Sequence, residues 1–381
     1  MERCVDFFNW LDHDTTLKIL MYLEDPSDLL RVSSVSRSWR DFVIANSLSK
    51  QLCFRMFPCL SEVDHVMEPN SDTEGSLEVG CSKSVEWENL KREHRVYAFL
   101  AHSFSSVPLR PCILDAICAS STDNYPEESI HNTLEPRDIV ERRASYWSSK
   151  GQRKRTVPET LTYKLLADIC VITEISVQPF QAFFQWGSPI YSPKSVRFRM
   201  GHPKSPMDDP IGEPCDNCAD DSFIWTYTSP EFPMAQENRL QKFKLPEPVL
   251  CIGGVLQVQL CGRVQRQEMD GLFYICVSHV EVIGRPLSDA FSIGFLESSG
   301  KFVLSVHSYT QQCLPNETSC ELPYAYLEGR VRDLEQIMNL LRGQRGGGDS
   351  DGDGDGLVVG YEDNEGDEDD EIEDEEDMVV L

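Results

Sequence analysis

Residues 7–52 read FFNWLDHDTTLKILMYLEDPSDLLRVSSVSRSWRDFVIANSLSKQL, and their apolar side chains form three short clusters instead of one long helical stripe. The first cluster spans 17–23 and the second 29–32, while residues 36–45 supply the third. Between the first two, Asp25-Pro26 has the pattern of a helix N-cap followed by proline at the first helical position, which ends one helix and begins another. The stretch therefore predicts three short helices.

These helices form a module, residues 1–57, that is too small to bury all of its apolar surface internally. A large aliphatic side chain contributes about 1.5–3 kcal/mol when it is fully buried, so the surplus surface is expected to be covered. Either a partner protein or a second domain of the same chain could provide this cover, and composition does not distinguish the two.

The order of the residues in the module is more informative than its composition. It runs Leu11, Ile19-Leu20-x-x-Leu23, Asp25-Pro26-x-Asp28-Leu29-Leu30-Arg31 and Val35-x-x-x-Trp39-Arg40. This order resembles the F-box, the adaptor-binding module of SCF-type ubiquitin ligases. The family usually begins with Leu-Pro, whereas this chain has Leu11-Asp12 at that point.

The resemblance implies that the module binds a Skp-type adaptor and, through the adaptor, cullin and RING subunits. The residues that it implies as adaptor contacts are Leu11, Leu17, Ile19, Leu20, Leu23, Pro26, Leu29, Leu30, Val35 and Trp39.

The rest of the chain divides into five segments. Residues 58–84 are polar, aperiodic and marked by Pro and Gly, which predicts a linker. Residues 85–108 regain helical spacing and predict a connecting helix. Strand-like runs fill residues 109–288, and residues 289–343 predict a hairpin followed by a C-terminal helix. The last segment, 344–381, consists mainly of glycine and acidic residues, which predicts a disordered tail.

The strand-like segment favours an antiparallel sandwich. Residues 196–200 and 256–260 alternate apolar and polar side chains with period two, and the runs at 163–172 and 273–277 are mostly apolar. No ten-residue amphipathic helices separate these runs, which argues against a parallel α/β sheet. The predicted fold class is α+β, with a jelly-roll-like antiparallel β-sandwich after the helical module.

Short landmarks follow one another along the sandwich segment. They are Ala119-Ser120-Ser121, Ala144-Ser145-Tyr146-Trp147-Ser148-Ser149, Leu166-Ala167-Asp168-Ile169, Ile172-Thr173-Glu174-Ile175 and Leu256-Gln257-Val258-Gln259-Leu260-Cys261-Gly262. In this order they resemble the discoidin/galactose-binding-like jelly rolls. That family binds ligands through loops at one end of the sandwich, but the resemblance does not identify the loops used here. It does imply that Trp147 is a core residue.

Acidic residues concentrate near the C-terminal end. Residues 349–377 contain 17 Asp and Glu and no Lys or Arg, so they account for −17 of the formal net charge of −28. The remaining −11 leaves the rest of the chain without a basic excess, which argues against nucleic acid as a direct ligand.

Composition also predicts the compartment. No apolar run approaches the roughly eighteen residues needed to span a bilayer, so no membrane span is predicted. The beginning of the sequence lacks the apolar run of a signal peptide. The 14 cysteines are therefore expected as reduced thiols, and the nucleus or the cytoplasm, or both, is the expected location.

Three short motifs have the spacing of known sites without the surroundings that those sites need. Cys215-x-x-Cys218 matches a zinc half-site, but no second pair follows at a suitable distance. Residues 348–352 match G-x-S-x-G without a strand–turn–helix context, and residues 351–362 match a calcium loop without flanking helices. We therefore predict no catalytic residue, no cofactor and no metal site.

One cluster of basic residues, at 142–143 and 150–155, stands out in the sandwich segment. It could be a nuclear import signal or a docking patch for an acidic partner. It could equally be a solvated loop that pairs with the chain's own acidic tail.

The two resemblances predict a non-catalytic substrate-recognition subunit of an SCF-type cullin–RING ubiquitin ligase. Its helical module would bind the adaptor and its sandwich an unidentified target protein. The alternative is an acidic-tailed scaffold or chaperone for basic proteins that acts outside a ligase. Salt distinguishes them, because tail-driven binding weakens strongly at high ionic strength and leucine-driven binding does not.

Overall fold

The computed structural model describes residues 10–68, 82–137, 139–140, 143–204, 222–287, 290–296 and 300–309. The predicted C-terminal helix, the acidic tail and the three short motifs at 215–218 and 348–362 lie outside these residues. The helices of the described part are α1 (His13–Met21), α2 (Pro26–Val35), α3 (Arg37–Ala45), α4 (Leu48–Met56) and α5 (Ser82–Ser106). None of them is both long and apolar enough to cross a membrane.

The strands range in length from two to twelve residues. They are β1 (Val63–Met67), β2 (Arg110–Pro111), β3 (Ile113–Ala119), β4 (Ile139–Val140), β5 (Arg143–Ala144), β6 (Trp147–Ser148), β7 (Glu159–Leu165), β8 (Ile169–Pro179), β9 (Pro193–Pro203), β10 (Phe223–Thr228), β11 (Phe232–Pro233), β12 (Gln241–Ile252), β13 (Val255–Arg263), β14 (Cys276–Pro286), β15 (Phe291–Phe295) and β16 (Phe302–Val306).

Local capping explains where the first helices begin. The Asp25 carboxylate accepts a hydrogen bond from the Ser27 amide at 2.8 Å and Pro26 opens α2, so the predicted cap is confirmed. Asp12 caps α1 in the same way, at 2.7 Å from the Thr15 amide. The residue that departs from the usual Leu-Pro opening is therefore the N-cap of the first helix.

The helical module contains α4 in addition to the three predicted helices. Its buried residues Leu48, Leu52 and Cys53 face α5, and the Cys53 Sγ lies 3.3 Å from the Tyr97 carbonyl oxygen. The helix is thus stabilised mainly by packing against a segment more than forty residues away in sequence.

Two antiparallel sheets form the predicted sandwich. One has the order β10-β9-β13-β7-β3, with β11 beside β9, and the other has the order β12-β8-β14-β2, with β6 beside β14. The sandwich core lies between them and includes Leu161, Phe198, Met200 and Val258. Trp147 is fully buried in this core and its indole nitrogen donates to the Ser121 carbonyl at 3.0 Å, so its predicted core position is confirmed.

The apolar run at 163–172 is two strands, not one. Strand β7 ends at Leu165 in the first sheet, and β8 begins at Ile169 in the second. The Gly253 amide donates to the Asp168 carbonyl at 2.7 Å and holds the corner between them. Asp168 marks this corner in the sequence and is exposed, while Leu165 and Ile169 on its two sides are buried.

A second core lies outside the sandwich, on the outer face of the β12-β8-β14 sheet. Along β8 the side chains alternate, so that Cys170 and Ile172 point into the sandwich while Ile169 and Val171 point into this second core. It joins the helical module, α5, β16 and the sheet through Leu52, Val96, Tyr97, Leu100, Ile169, Val171, Leu250, Ile252, Phe302 and Leu304. Much of the surplus apolar surface of the helical module is therefore covered by the chain's own second domain.

The first part of the predicted 58–84 linker is structured. Residues Pro58–Glu62 form a 3-10 turn, and β1 pairs in parallel with β16, with Val66 opposite Leu304. Strands β15 and β16 pair antiparallel as the predicted hairpin. Among residues 58–67, Leu60 and Val66 are the buried ones, and both belong to the second core. The polar composition of the whole 58–84 segment did not indicate this contribution.

Candidate functional site

The structure separates the predicted adaptor contacts by their exposure. Leu20, Pro26 and Leu29 are buried; Leu11, Leu17, Leu23 and Trp39 are half-buried; and Ile19, Leu30 and Val35 are exposed.

Leu20 and Leu29 belong to the interior of the protein. Their exposed fractions are 4% and 5%, and both pack into the second core. In this conformation they offer almost no surface to a partner, because they hold the helices to one another. The adaptor-contact role of all ten residues stays a prediction.

Large apolar side chains in and beside α1 and α2 remain exposed after folding. Ile19 and Val35 are among them, together with Trp10 and Tyr22, which the motif did not single out. Sequence reasoning missed these two aromatic residues because Trp10 precedes the first leucine of the pattern and Tyr22 falls between two of its leucines. Exposed aromatic and aliphatic side chains in one module are typical of a protein-binding surface.

Polar contacts from later helices fix the shape of this surface. The Arg55 guanidinium on α4 donates to the carbonyl oxygens of Met21 and Leu23, the latter at 2.8 Å, and so closes the C-terminal end of α1. Lys50 and Glu93 pair at 3.1 Å and tie α4 to α5. The turn between α1 and α2 is therefore held by α4.

The second candidate site is a small cavity at one end of the sandwich. The strand registers bring the ends of β3, β8 and β13 and the starts of β9 and β14 to this end. The cavity has a volume of about 50 Å³, and its lining includes Glu128, Tyr146, Phe180, Phe184, Tyr191 and Tyr274. We call it the loop pocket.

Aromatic rings form the walls of the loop pocket. Tyr146 and Phe180 stack with their centroids 3.9 Å apart and an angle of 8° between the rings. Tyr191 and Tyr274 meet edge to face at 6.3 Å. Phe184 lies over the first pair, 6.3 Å from Phe180.

Carboxylates lie in and beside the loop pocket. The Tyr146 hydroxyl donates to Glu128 Oε1 at 2.7 Å, while Glu128 Oε2 is buried without a hydrogen-bond partner among the described residues. Burial raises the pKa of the Glu128 carboxyl; the Tyr146 hydrogen bond opposes this shift and the charge of Asp123 adds to it. Asp270 accepts a hydrogen bond from the Tyr274 hydroxyl at 2.5 Å.

A buried ion pair holds the loops beneath the pocket. Arg263 and Glu159 are in contact, with exposed side-chain fractions of 0% and 4%. The guanidinium also donates to Ser149 Oγ at 2.9 Å and to the Phe273 carbonyl at 2.8 Å, and Glu159 accepts from Ser121 Oγ at 2.8 Å. Ser121 and Ser149, which belong to two of the sequence landmarks, thus form hydrogen bonds with this ion pair.

The described residues hold no group of three or more His, Cys, Asp or Glu side chains arranged for a metal ion. His279 is buried with its Nδ1 at 2.8 Å from the Thr133 carbonyl, and His202 stacks on Phe295 at 3.8 Å. Of the basic cluster, Arg155 lies over the Phe273 ring at 4.6 Å. Each of these three side chains contacts another residue of the protein, which gives it a structural role.

Sequence reasoning missed the loop pocket entirely. Its lining comes from four separate segments of the chain, 123–128, 146–148, 180–191 and 267–276. Only folding brings their carboxylates and rings together. One signal was available in residues 179–191, PFQAFFQWGSPIY, which place Phe180, Phe183, Phe184 and Trp186 in one loop bounded by Pro and Gly.

Comparisons with known proteins show what the chain is similar to. The F-box-like family model matches residues 13–55, which are helices α1 to α4 almost from end to end. The F-box protein At4g00755 of Arabidopsis thaliana is 54% identical over 348 residues, covering 88% of this chain and 92% of the relative.

Two solved structures are similar to the sandwich region. A CBM32-3 module from a family 31 glycoside hydrolase of Clostridium perfringens covers 45% of this chain and 90% of its own, with 13% identity and a TM-score of 0.31. A fucolectin from striped bass (Morone saxatilis) serum covers 49% of this chain and 55% of its own, with 14% identity and a TM-score of 0.29.

F-box proteins are in general non-catalytic adaptors that bring substrates to a ligase. The match to an F-box protein extends over both the helical module and the sandwich, so it concerns the whole architecture and not the module alone. The chain belongs to the F-box protein family.

Proposed function

We propose that this F-box protein is the substrate-recognition subunit of an SCF-type cullin–RING ubiquitin ligase in the nucleus, the cytoplasm or both. Helices α1 and α2 bind a Skp-type adaptor, which connects the chain to the cullin and RING subunits. The sandwich binds a target protein. Ubiquitin transfer belongs to other subunits, and this chain supplies no catalytic residue.

The observation that carries this proposal is the F-box match over residues 13–55 together with apolar side chains there that folding leaves uncovered. Ile19, Leu30 and Val35 occupy positions of the F-box pattern and are exposed. Covering such side chains in an interface removes apolar surface from water, which favours association.

The shared second core supports a positioning role. Helix α5 contributes Val96, Tyr97 and Leu100 to a core that also holds residues of α4 and of the sandwich sheet. A target held by the sandwich is then held in a defined orientation relative to the adaptor. Such tethering raises the effective concentration of a target lysine near the conjugating enzyme.

The test is co-purification of the full chain with a recombinant Skp-type adaptor. We expect the parent to bind, and the double substitution Ile19→Asp with Leu30→Asp to weaken binding at least about a hundredfold, because every 1.4 kcal/mol is tenfold in affinity and unpaired charges in an apolar interface cost several kcal/mol. Both side chains are already well exposed, at 43% and 38%, so the fold is expected to tolerate the change.

The sandwich offers a matched control. Ile224 and Val264 are exposed to 42% and 40%, and the double substitution Ile224→Asp with Val264→Asp adds the same charge outside the helical module. This control is expected to bind the adaptor like the parent. Failure of the parent to bind, or unchanged binding by the first double variant, would remove the ligase assignment and favour the acidic-tailed scaffold for basic proteins.

A further inference from the structure

The loop between β8 and β9 presents aromatic side chains to solvent and is hydrogen-bonded across its own backbone. The Ala182 amide donates to the Pro189 carbonyl at 2.9 Å, and the Tyr191 hydroxyl donates to Gln185 Oε1 at 2.5 Å. Phe183 and Phe184 are exposed, and Trp186 is 90% exposed. Neighbouring exposed aromatic side chains on a hydrogen-bonded loop are typical of a binding surface.

The loop pocket, which this aromatic surface adjoins through Phe184, has room for a head group and not for a large ligand. One water needs roughly 10–15 Å³ of such volume, so the cavity of about 50 Å³ holds a few waters or one ammonium or guanidinium group. Its walls are the rings of Tyr146, Phe180, Tyr191 and Tyr274.

The described lining of the loop pocket contains the carboxylates of Asp123 and Glu128 and no Lys or Arg side chain. Glu128 forms no ion pair with any described side chain, and its Oε2 is buried without a hydrogen-bond partner there. Burial raises the pKa of Asp123 and the charge of Asp270 raises it further, while Lys150 opposes both. Two further cations lie nearby: Arg266 donates its Nε to the Gly271 carbonyl at 2.7 Å on the exposed side of the β13–β14 loop, and Arg263 beneath the pocket is already paired with Glu159.

We propose that the loop pocket binds a positively charged side chain of a target peptide, either lysine or arginine, and that an adjoining apolar residue of the peptide packs on Phe183, Phe184 and Trp186. The cation pairs with the Glu128 carboxylate, which has no counter-ion among the described side chains, in a charge-assisted hydrogen bond. This inference rests on the proposed function, since it names the class of target that the sandwich recruits.

The experiment measures binding of fluorescent degenerate peptide pools with one fixed central residue, which is lysine, arginine, glutamate or leucine. The full chain is used both free and held on an immobilised Skp-type adaptor. We expect the lysine and arginine pools to bind and the glutamate and leucine pools to bind at least about tenfold more weakly, which corresponds to about 1.4 kcal/mol. The ratio of lysine to arginine affinity identifies the preferred head group.

Two substitutions localise the site. Glu128→Gln keeps an acceptor for the Tyr146 hydroxyl and removes the charge, so the cationic pools should lose at least about tenfold in affinity while thermal unfolding stays unchanged. Phe184→Ser should weaken the same pools without altering the charge. The matched control is Glu174→Gln. Glu174 lies on β8 and pairs with Lys242 of β12. Its substitution also removes one negative charge and should leave peptide binding unchanged.

The outcomes separate this inference from the proposed function. Three outcomes would overturn the pocket assignment even if the adaptor captures the chain. All pools could bind equally, Glu128→Gln could bind the cationic pools like the parent, or the chain could bind free galactose and no cationic pool. If the adaptor does not capture the chain but the free chain still binds the cationic pools, the ligase role is removed and the pocket assignment stays intact.

Discussion

Deletion of residues 1–57 is expected to leave the rest of the chain insoluble or strongly destabilised. The deletion removes Leu48, Leu52 and Cys53 from the second core and uncovers fully buried side chains of α5 such as Val96 and Leu100. Each large side chain returned to water costs about 1.5–3 kcal/mol, and several do so together. Soluble yield and the midpoint of thermal unfolding measure the effect.

The adaptor-surface variant Ile19→Asp with Leu30→Asp is the control for this deletion, because it leaves the second core covered. It should remain soluble and unfold near the temperature of the parent. If the truncated chain were soluble and its sandwich unfolded at the parent's temperature, the second core would not contribute to stability. The expected result means that targets are best trapped with the point variant and not with a truncated chain.

Replacement of Glu159 by alanine is expected to destabilise the protein by about 3–5 kcal/mol, the range for breaking a buried ion pair from one side. The Arg263 guanidinium, with 0% of its side chain exposed, would keep its charge and lose its counter-ion. Ser121, whose hydroxyl donates to Glu159, would lose its acceptor as well. Urea unfolding of the full chain measures the free energy directly.

The contrast with an exposed pair makes this prediction specific. Glu174 and Lys242 pair at 3.1 Å, with 63% of the lysine side chain exposed, so Glu174→Ala should cost less than about 1 kcal/mol. The double variant Glu159→Met with Arg263→Met removes both buried charges and should be less destabilised than Glu159→Ala. Equal costs for Glu159→Ala and Glu174→Ala would show that the buried pair is not needed.

The loop pocket depends on this ion pair for its shape. Arg263 donates to the carbonyl oxygens of Lys150 and Phe273, which flank two of the pocket's loops. A partly folded Glu159 variant should therefore lose peptide binding before it loses its secondary structure. The ion pair in this way connects the stability of the sandwich to the geometry of its binding end.

The sequence by itself determined the features that depend on neighbouring residues. The Asp25-Pro26 pair set the start of α2, because an N-cap and a proline act within one helical turn. Period-two alternation at 196–200 and 256–260 identified β9 and β13, since side chains alternate along any strand. The order of residues from Leu11 to Arg40 identified the F-box, and the fold class followed from the absence of helices between strands.

Only the tertiary structure decided which apolar residues are covered and which remain free. Leu20 and Leu30 are equivalent as members of the F-box pattern, yet one is buried in the second core and the other is exposed. Residues 163–172 divide between two sheets, and residues 63–67 of the predicted linker become β1, because their partners lie far away in the chain. The loop pocket is the clearest case: Glu128, Phe184 and Tyr274 have no local relationship, and only the strand registers bring them together. Burial and cavity shape are sums over distant contacts, which a local pattern does not contain.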